Sequence, residues 1–190
     1  MRGPQLPGVS WARTRSLLAA PAMPDLLTGV AVAAAVAAAT ALTAGMDTVA
    51  APLRPIDPIA YALVAASGLA LGWRNVAPTS TVLVTLALGM GYQAAAYPGG
   101  PAPVPIVLAL YSIAHRGARL QSLGLGLAAI IALLGARGLA VPGGFDSPLL
   151  VALPTTVLAA LFAGQVVATR RAQRRRAIER TAAAELAREL

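Results

Sequence analysis

The chain has 190 residues, 57% of them hydrophobic and only 12% charged, with a mean hydropathy of +0.71 and a formal net charge of +8. A soluble domain carries about 25% charged residues, so a soluble globular fold is excluded, and with it the nucleic-acid binding that such a charge would otherwise suggest. There is no Cys, and one His and seven acids complete the ligand inventory, which excludes disulfides and thiolate metal sites and leaves little for any other metal centre.

All 15 basic residues are arginine. Between Leu17 and Thr169 only Arg54, Arg74, Arg116, Arg119 and Arg137 interrupt the apolar sequence. Long apolar stretches punctuated this way are transmembrane helices joined by short loops. Residues 1–24, with their prolines, arginines and Trp11, read as a disordered cytoplasmic leader. Span one follows, about Leu26 to Gly45, rich in Ala. A signal peptide is the alternative reading, but an apolar run of about 20 residues exceeds the usual 7 to 15. A polar break from Met46 to Pro58 carries Asp47, Arg54 and Asp57. Span two runs from about Ile59 to Trp73, and Arg74, Asn75 and Pro78 make a tight turn. Span three covers about Thr79 to Tyr97, and span four about Pro103 to Ala114 after an uncharged Pro-Gly-Gly-Pro turn. A basic turn, His115 to Arg119, leads to span five, about Leu120 to Val141; a Pro- and Gly-rich turn leads to span six, about Leu149 to Thr169. The last residues contain no Gly or Pro and predict a polar helix. The expected fold is therefore all-α: a polytopic membrane helix bundle of about six transmembrane helices over residues 25–169, then a cytoplasmic helix over 170–190.

Span four is short enough to be re-entrant. Charge parity favours a full crossing. With six spans, the inner loops hold Arg2, Arg13, Arg15, Arg74, Arg116, Arg119 and the cluster Arg170, Arg171, Arg174, Arg175 and Arg176, while the outer loops hold Arg54 and Arg137. The positive-inside rule then puts both termini in the cytoplasm of a multi-pass cell-membrane protein. The cluster after span six is expected to fix orientation and to grip anionic lipid.

Asp47, Arg54, Asp57, Arg137 and Asp146 all fall near the outer face and form a candidate cluster for a polar or charged ligand. The plainer alternative is solvated loop charge, with Arg137 snorkelling to the interface. Gln93 and Gln165, with Thr40, Thr43, Ser67, Thr155 and Thr156, read as groups that hydrogen-bond between helices. No ionisable residue lies at the centre of a span, which argues against a secondary transporter or proton pump. Gly68 and Gly72, with Gly124 and Gly126, offer small surfaces for close helix approach. His115 reads as a helix-capping interface residue, with a phosphoacceptor or pH sensor as the alternative. Tyr61, Trp73, Tyr97 and Tyr111 read as aromatic-belt anchors. No Walker loop, HExxH, GxSxG or kinase glycine-rich set is present, so no catalytic, cofactor-binding or metal-binding residue is expected.

Three stretches carry a resemblance. They are Pro55-Ile56-Asp57-Pro58-Ile59-Ala60-Tyr61-Ala62-Leu63 with Trp73-Arg74-Asn75-Val76-Ala77-Pro78, then Tyr97-Pro98-Gly99-Gly100-Pro101, then Ala109-Leu110-Tyr111-Ser112-Ile113-Ala114-His115-Arg116-Gly117. In this order they resemble the N-terminal membrane domain of actinobacterial sensor histidine kinases, the class paired with LuxR-type response regulators. The tail Glu185-Leu186-Ala187-Arg188-Glu189-Leu190 is similar to the segment just before that family's phosphoacceptor His. The resemblance implies a protein histidine kinase, yet the phosphoacceptor helix and ATP-binding domain are missing from this sequence, so the chain is expected to be inactive alone. It implies an input module that couples its bundle to the helix after span six, with the lipid bilayer, a second copy of the chain, and a separate kinase core or response regulator as partners. A small transport or channel component and a structural membrane protein are the other two readings.

Overall fold

A computed structural model of the chain describes residues 21–43, 54–98, 101–116, 119–141 and 149–189, and every regular element among them is helical. The helices are α1 (Met23–Thr43), α2 (Pro58–Ala70, prolonged by a 3-10 turn over Leu71–Trp73), α3 (Pro78–Ala94), α4 (Val104–Ala114), α5 (Arg119–Ala140) and α6 (Leu149–Glu189). Proline sits at the first turn of α2, α3 and α4, where its missing N–H removes no intrahelical bond. At the other end of α3, Ala96 takes a left-handed φ of 57°. Glycine would usually stand there, and alanine costs about 1 kcal/mol more.

Three helices are long and apolar enough to cross a membrane: α1, α5 and the first part of α6. The other three are shorter, at 13, 17 and 11 residues. The shortest, α4, rises only about 16 Å, against a hydrocarbon core of about 30 Å. It is also the most enclosed. Pro105, Ile106, Ala109, Leu110, Ile113 and Ala114 are all buried, and α4 packs on α3, α5 and α6. The main core forms around it, from Val82, Ile106, Leu110, Leu133, Leu153, Val157 and Leu161. A second core joins α1 and α2 to the end of α3, through Val36, Val64, Tyr92 and Tyr97.

Successive helices run in opposite directions, so the bundle has two ends. At the tail end lie the start of α1, the α2–α3 turn, the end of α4 and the point where α6 leaves the bundle; the far end holds the opposite termini. The outward faces are apolar. Leu127 is 61% exposed, Ile131 64% and Phe162 71%. A water-soluble monomer does not present a continuous apolar surface of this kind, and a bilayer covers it. The molecule is a polytopic, all-α membrane bundle that ends in a non-membrane helix.

Small residues set the α1–α2 crossing. A Cβ added to Gly68 would stand 2.5 Å from the Cα of Ala33, and one added to Gly29 would stand 3.1 Å from the Gly72 backbone N. The Gly68/Gly72 pair is therefore where two backbones meet, with Gly29 and Ala33 as partners the sequence did not reveal. The hydroxyls behave differently from expectation. Thr40, Ser67, Thr155 and Thr156 donate to carbonyls three or four residues back in their own helices. A hydroxyl in lipid finds its nearest acceptor in the preceding turn, so these bonds stay within single helices. Gln93 is buried, and among the described residues its Oε1 accepts no hydrogen bond. Gln165 lies half-buried on α6.

Candidate functional site

Polar side chains converge at both ends. At the far end the sequence Arg54-Pro55-Ile56-Asp57-Pro58 leads into α2. Asp57 is its N-cap, with Oδ1 accepting from the Ala60 N–H at 3.0 Å and Pro58 next in the chain. That is the arrangement helix N-termini favour. The same carboxylate collects two more donors. The Tyr97 hydroxyl donates to Oδ1 at 2.6 Å, and Arg54 Nη2 reaches Oδ2 at 2.6 Å. The Arg54 guanidinium also lies over the Tyr97 ring, 5.1 Å from its centroid. The tyrosine hydroxyl, the Ala60 N–H and the arginine charge outweigh partial desolvation and hold the Asp57 carboxyl below its usual pKa.

Tyr97 is fully buried and tilts against Tyr92, ring centroids 5.1 Å apart. It is therefore not a belt residue. Tyr61 and Trp73 are exposed, as belt residues are, and Tyr111 is half-buried. Arg137 does not snorkel. It is 3% exposed and turned into the protein, where Nη1 donates to the Tyr97 carbonyl at 2.6 Å. The reason is geometric: the last turn of α5 stands beside the segment that follows α3, and an unbonded carbonyl there offers a closer partner than the interface. Of the five residues grouped from the sequence, Arg54, Asp57 and Arg137 thus gather around Tyr97, whereas Asp47 and Asp146 lie outside the described residues. Arg54, with 47% of its side chain exposed, is the member a ligand would meet first.

The tail end carries a second set that sequence reading passed over. Asp25, in the first turn of α1, is only 9% exposed. It accepts from Asn75 Nδ2 at 2.6 Å and faces Arg74 Nη2 at 3.5 Å. Arg116, just past α4, donates through Nη2 to the Arg74 and Asn75 carbonyls and to Asn75 Oδ1, at 3.0, 2.8 and 3.1 Å. One turn, Arg74-Asn75, therefore ties α1 to α4. Its signal in the sequence was an acid in the opening turn of span one facing a loop Asn and Arg. Beside this latch, His115 is the C-cap of α4 and tilts against Tyr111, ring centroids 6.0 Å apart. Partial burial, then Arg171, then Arg116 push its pKa below the ordinary histidine value.

Among the described residues no group of His, Asp or Glu could hold a metal ion. The chain matches no family model, no curated protein and no solved structure. Its chemistry must therefore be read from its own geometry.

Proposed function

We propose that the chain is the input module of a two-component sensor, crossing the cell membrane six times with both termini in the cytoplasm and working as a dimer. A stimulus at the outer face alters the cluster around Arg54 and Asp57, and the bundle passes that change to the helix over residues 170–190. The shorter helices α2, α3 and α4 complete the crossings, with α4 screened from lipid by its neighbours. A histidine-kinase core would receive the output.

One observation carries this reading: α6 is a single helix of 41 residues, Leu149–Glu189. Its first part is buried against the bundle at Leu153, Val157 and Leu161, and its continuation is exposed from Thr169 to Glu179. A continuous helix is stiff, so a tilt or rotation of the membrane part is delivered to the polar part. The ordered resemblance to sensor-kinase membrane domains supports the same reading.

A register test addresses it. Residues 1–190 are fused to a soluble histidine-kinase core and autophosphorylation is followed in cells, which also requires the tail to face cytoplasmic ATP. One residue inserted after Glu179 rotates everything downstream by about 100°, and seven nearly restore the face. Activity should change with one and largely recover with seven. A fusion indifferent to both would make the bundle a mere anchor.

A further inference from the structure

The inward face of α6 does not stop where the helix turns polar. Leu153, Val157, Leu161 and Gly164 are buried. Steps of three or four residues carry that face on to Ala168, Arg171, Ala172 and Arg175. These four, with His115 and Arg116 from the end of α4, line a cleft of about 420 Å³. Gly164 makes the approach possible. A Cβ there would stand 2.7 Å from the Ala114 Cβ, 2.9 Å from the Tyr111 carbonyl and 3.0 Å from the His115 backbone N. Arg170, Arg174 and Arg176 point elsewhere, roughly 100° or more around the helix from the centre of this face.

Three guanidiniums thus meet in one concavity. Among the described residues no carboxylate forms a salt bridge with Arg116, Arg171 or Arg175. Arg171 and Arg175 are four residues apart, a spacing at which like charges destabilise a helix. Asp25 at this end is already engaged by Asn75 and Arg74, and Glu179, one turn beyond Arg175, forms no salt bridge with it among the described residues. A second cleft shares His115 and Arg116 and adds Arg74, so the positive field extends on the other side as well. Several forked donors in a recess match a tetrahedral oxyanion better than a single carboxylate.

We infer that this cleft binds a phosphate group, held by Arg171 and Arg175 of α6 and by Arg116 just past α4. The phosphate belongs to a lipid headgroup or to a soluble phosphate compound; both present the same oxygens at the edge of the bilayer. Occupancy ties the polar part of α6 to the end of α4, so the direction in which the tail leaves the membrane depends on the bound anion. The site stands whether or not α6 transmits a signal, because its test reads binding and not kinase output.

His115 is the one histidine and lies in the cleft, which makes it a reporter. It faces Arg116 and Tyr111 from its own segment, Arg171 and Arg175 from α6, and Arg74 across the second cleft. The full chain, isotopically labelled at histidine, is placed in phosphatidylcholine nanodiscs, and the imidazole resonance is followed by NMR. One arm adds inorganic phosphate; the other replaces part of the lipid with phosphatidylglycerol in phosphate-free buffer. The resonance should move saturably in at least one arm. Saturation with inorganic phosphate assigns a soluble ligand, and movement only with phosphatidylglycerol assigns a headgroup. The R171Q/R175Q variant should weaken binding by about tenfold or more, and R170Q/R174Q by less than about twofold. R171K/R175K, which keeps both charges, should retain part of the affinity and shows that the fold tolerates change at these positions. An unmoved resonance in both arms, or equal losses in the two glutamine variants, would overturn the site and leave only a diffuse basic surface.

Discussion

The two ends of the bundle hold similar residues to opposite effect. At the far end, Arg54 pairs with Asp57, Arg137 donates to the Tyr97 carbonyl, and the Tyr97 hydroxyl returns to Asp57. The polar groups there bond one another and close the structure. At the tail end, Arg116, Arg171 and Arg175 line a cleft, Asp25 is spent on Asn75 and Arg74, and among the described residues no carboxylate forms a salt bridge with the three. Charge within a membrane protein thus has two uses: satisfied internally it fixes geometry, and left in excess it seeks a partner from outside.

The sharpest way to break this contrast is through the backbone that supports the tail end. Gly164→Leu drives a side chain into the Tyr111 carbonyl and the end of α4, and should destabilise by about 3 kcal/mol, the upper part of the usual overpacking range. Gly124→Leu, at a position with nothing within 4 Å, should be nearly neutral. Unfolding midpoints in detergent separate the two, and equal effects would mean that α6 does not rest on α4 at Gly164.

Next in size is a comparison of arginines. Arg137→Gln shortens the donor to the buried Tyr97 carbonyl and should cost about 2 kcal/mol, the penalty for an unsatisfied buried polar group. Arg171→Gln, on an exposed helical position, should stay within about 0.5 kcal/mol. The same unfolding assay reads both, and a tail arginine that mattered as much as Arg137 would erase the distinction between closed and open ends.

The smallest effect is pH. Asp57 has a depressed folded pKa, so its contribution is present above the unfolded carboxylate value of about 3.9 and fades as pH falls through the folded value. His115 is also depressed, which means that the unfolded chain binds its proton more readily. Its contribution is full above about 6.5 and fades on acidification below that. Between pH 7 and pH 5 the tail end should therefore loosen while the far end holds. Hydrogen exchange of residues 111–116 against 54–61, corrected for intrinsic rates, measures the difference. Loosening at both ends together would count against it.

Much of this architecture is legible in the sequence, because apolar runs and prolines speak directly about helices in lipid. The described helices begin within a few residues of the expected spans and, the last apart, end within a few residues of them, although only three are long and apolar enough to cross a membrane. What the sequence concealed concerns direction and partnership. Arg137 was visible as a costly charge near the end of span five, but a period of 3.6 residues does not say that its face meets Tyr97 rather than the interface. Asp25 escaped because it stands at a span's edge, where an acid is as ordinary as in any loop. The arginines after span six looked like one block. Only when the stripe from Leu153 is extended through Gly164 do Arg171 and Arg175 separate from their neighbours, and that period was available all along.

The brevity of α4 also explains a residue that otherwise looks misplaced. A helix of 11 residues must be reached by chain that is not helical, and the carbonyls of that chain lose the solvation water would give. Two of them are supplied from the protein: the Arg54 backbone N–H donates to the Ala96 carbonyl at 3.0 Å and Arg137 to the Tyr97 carbonyl. Irregular backbone shut away from water survives only where protein groups stand in for it. Arg137 acts here as a built-in hydration shell, and a charge that is expensive for an isolated helix solvates the backbone that leaves α3.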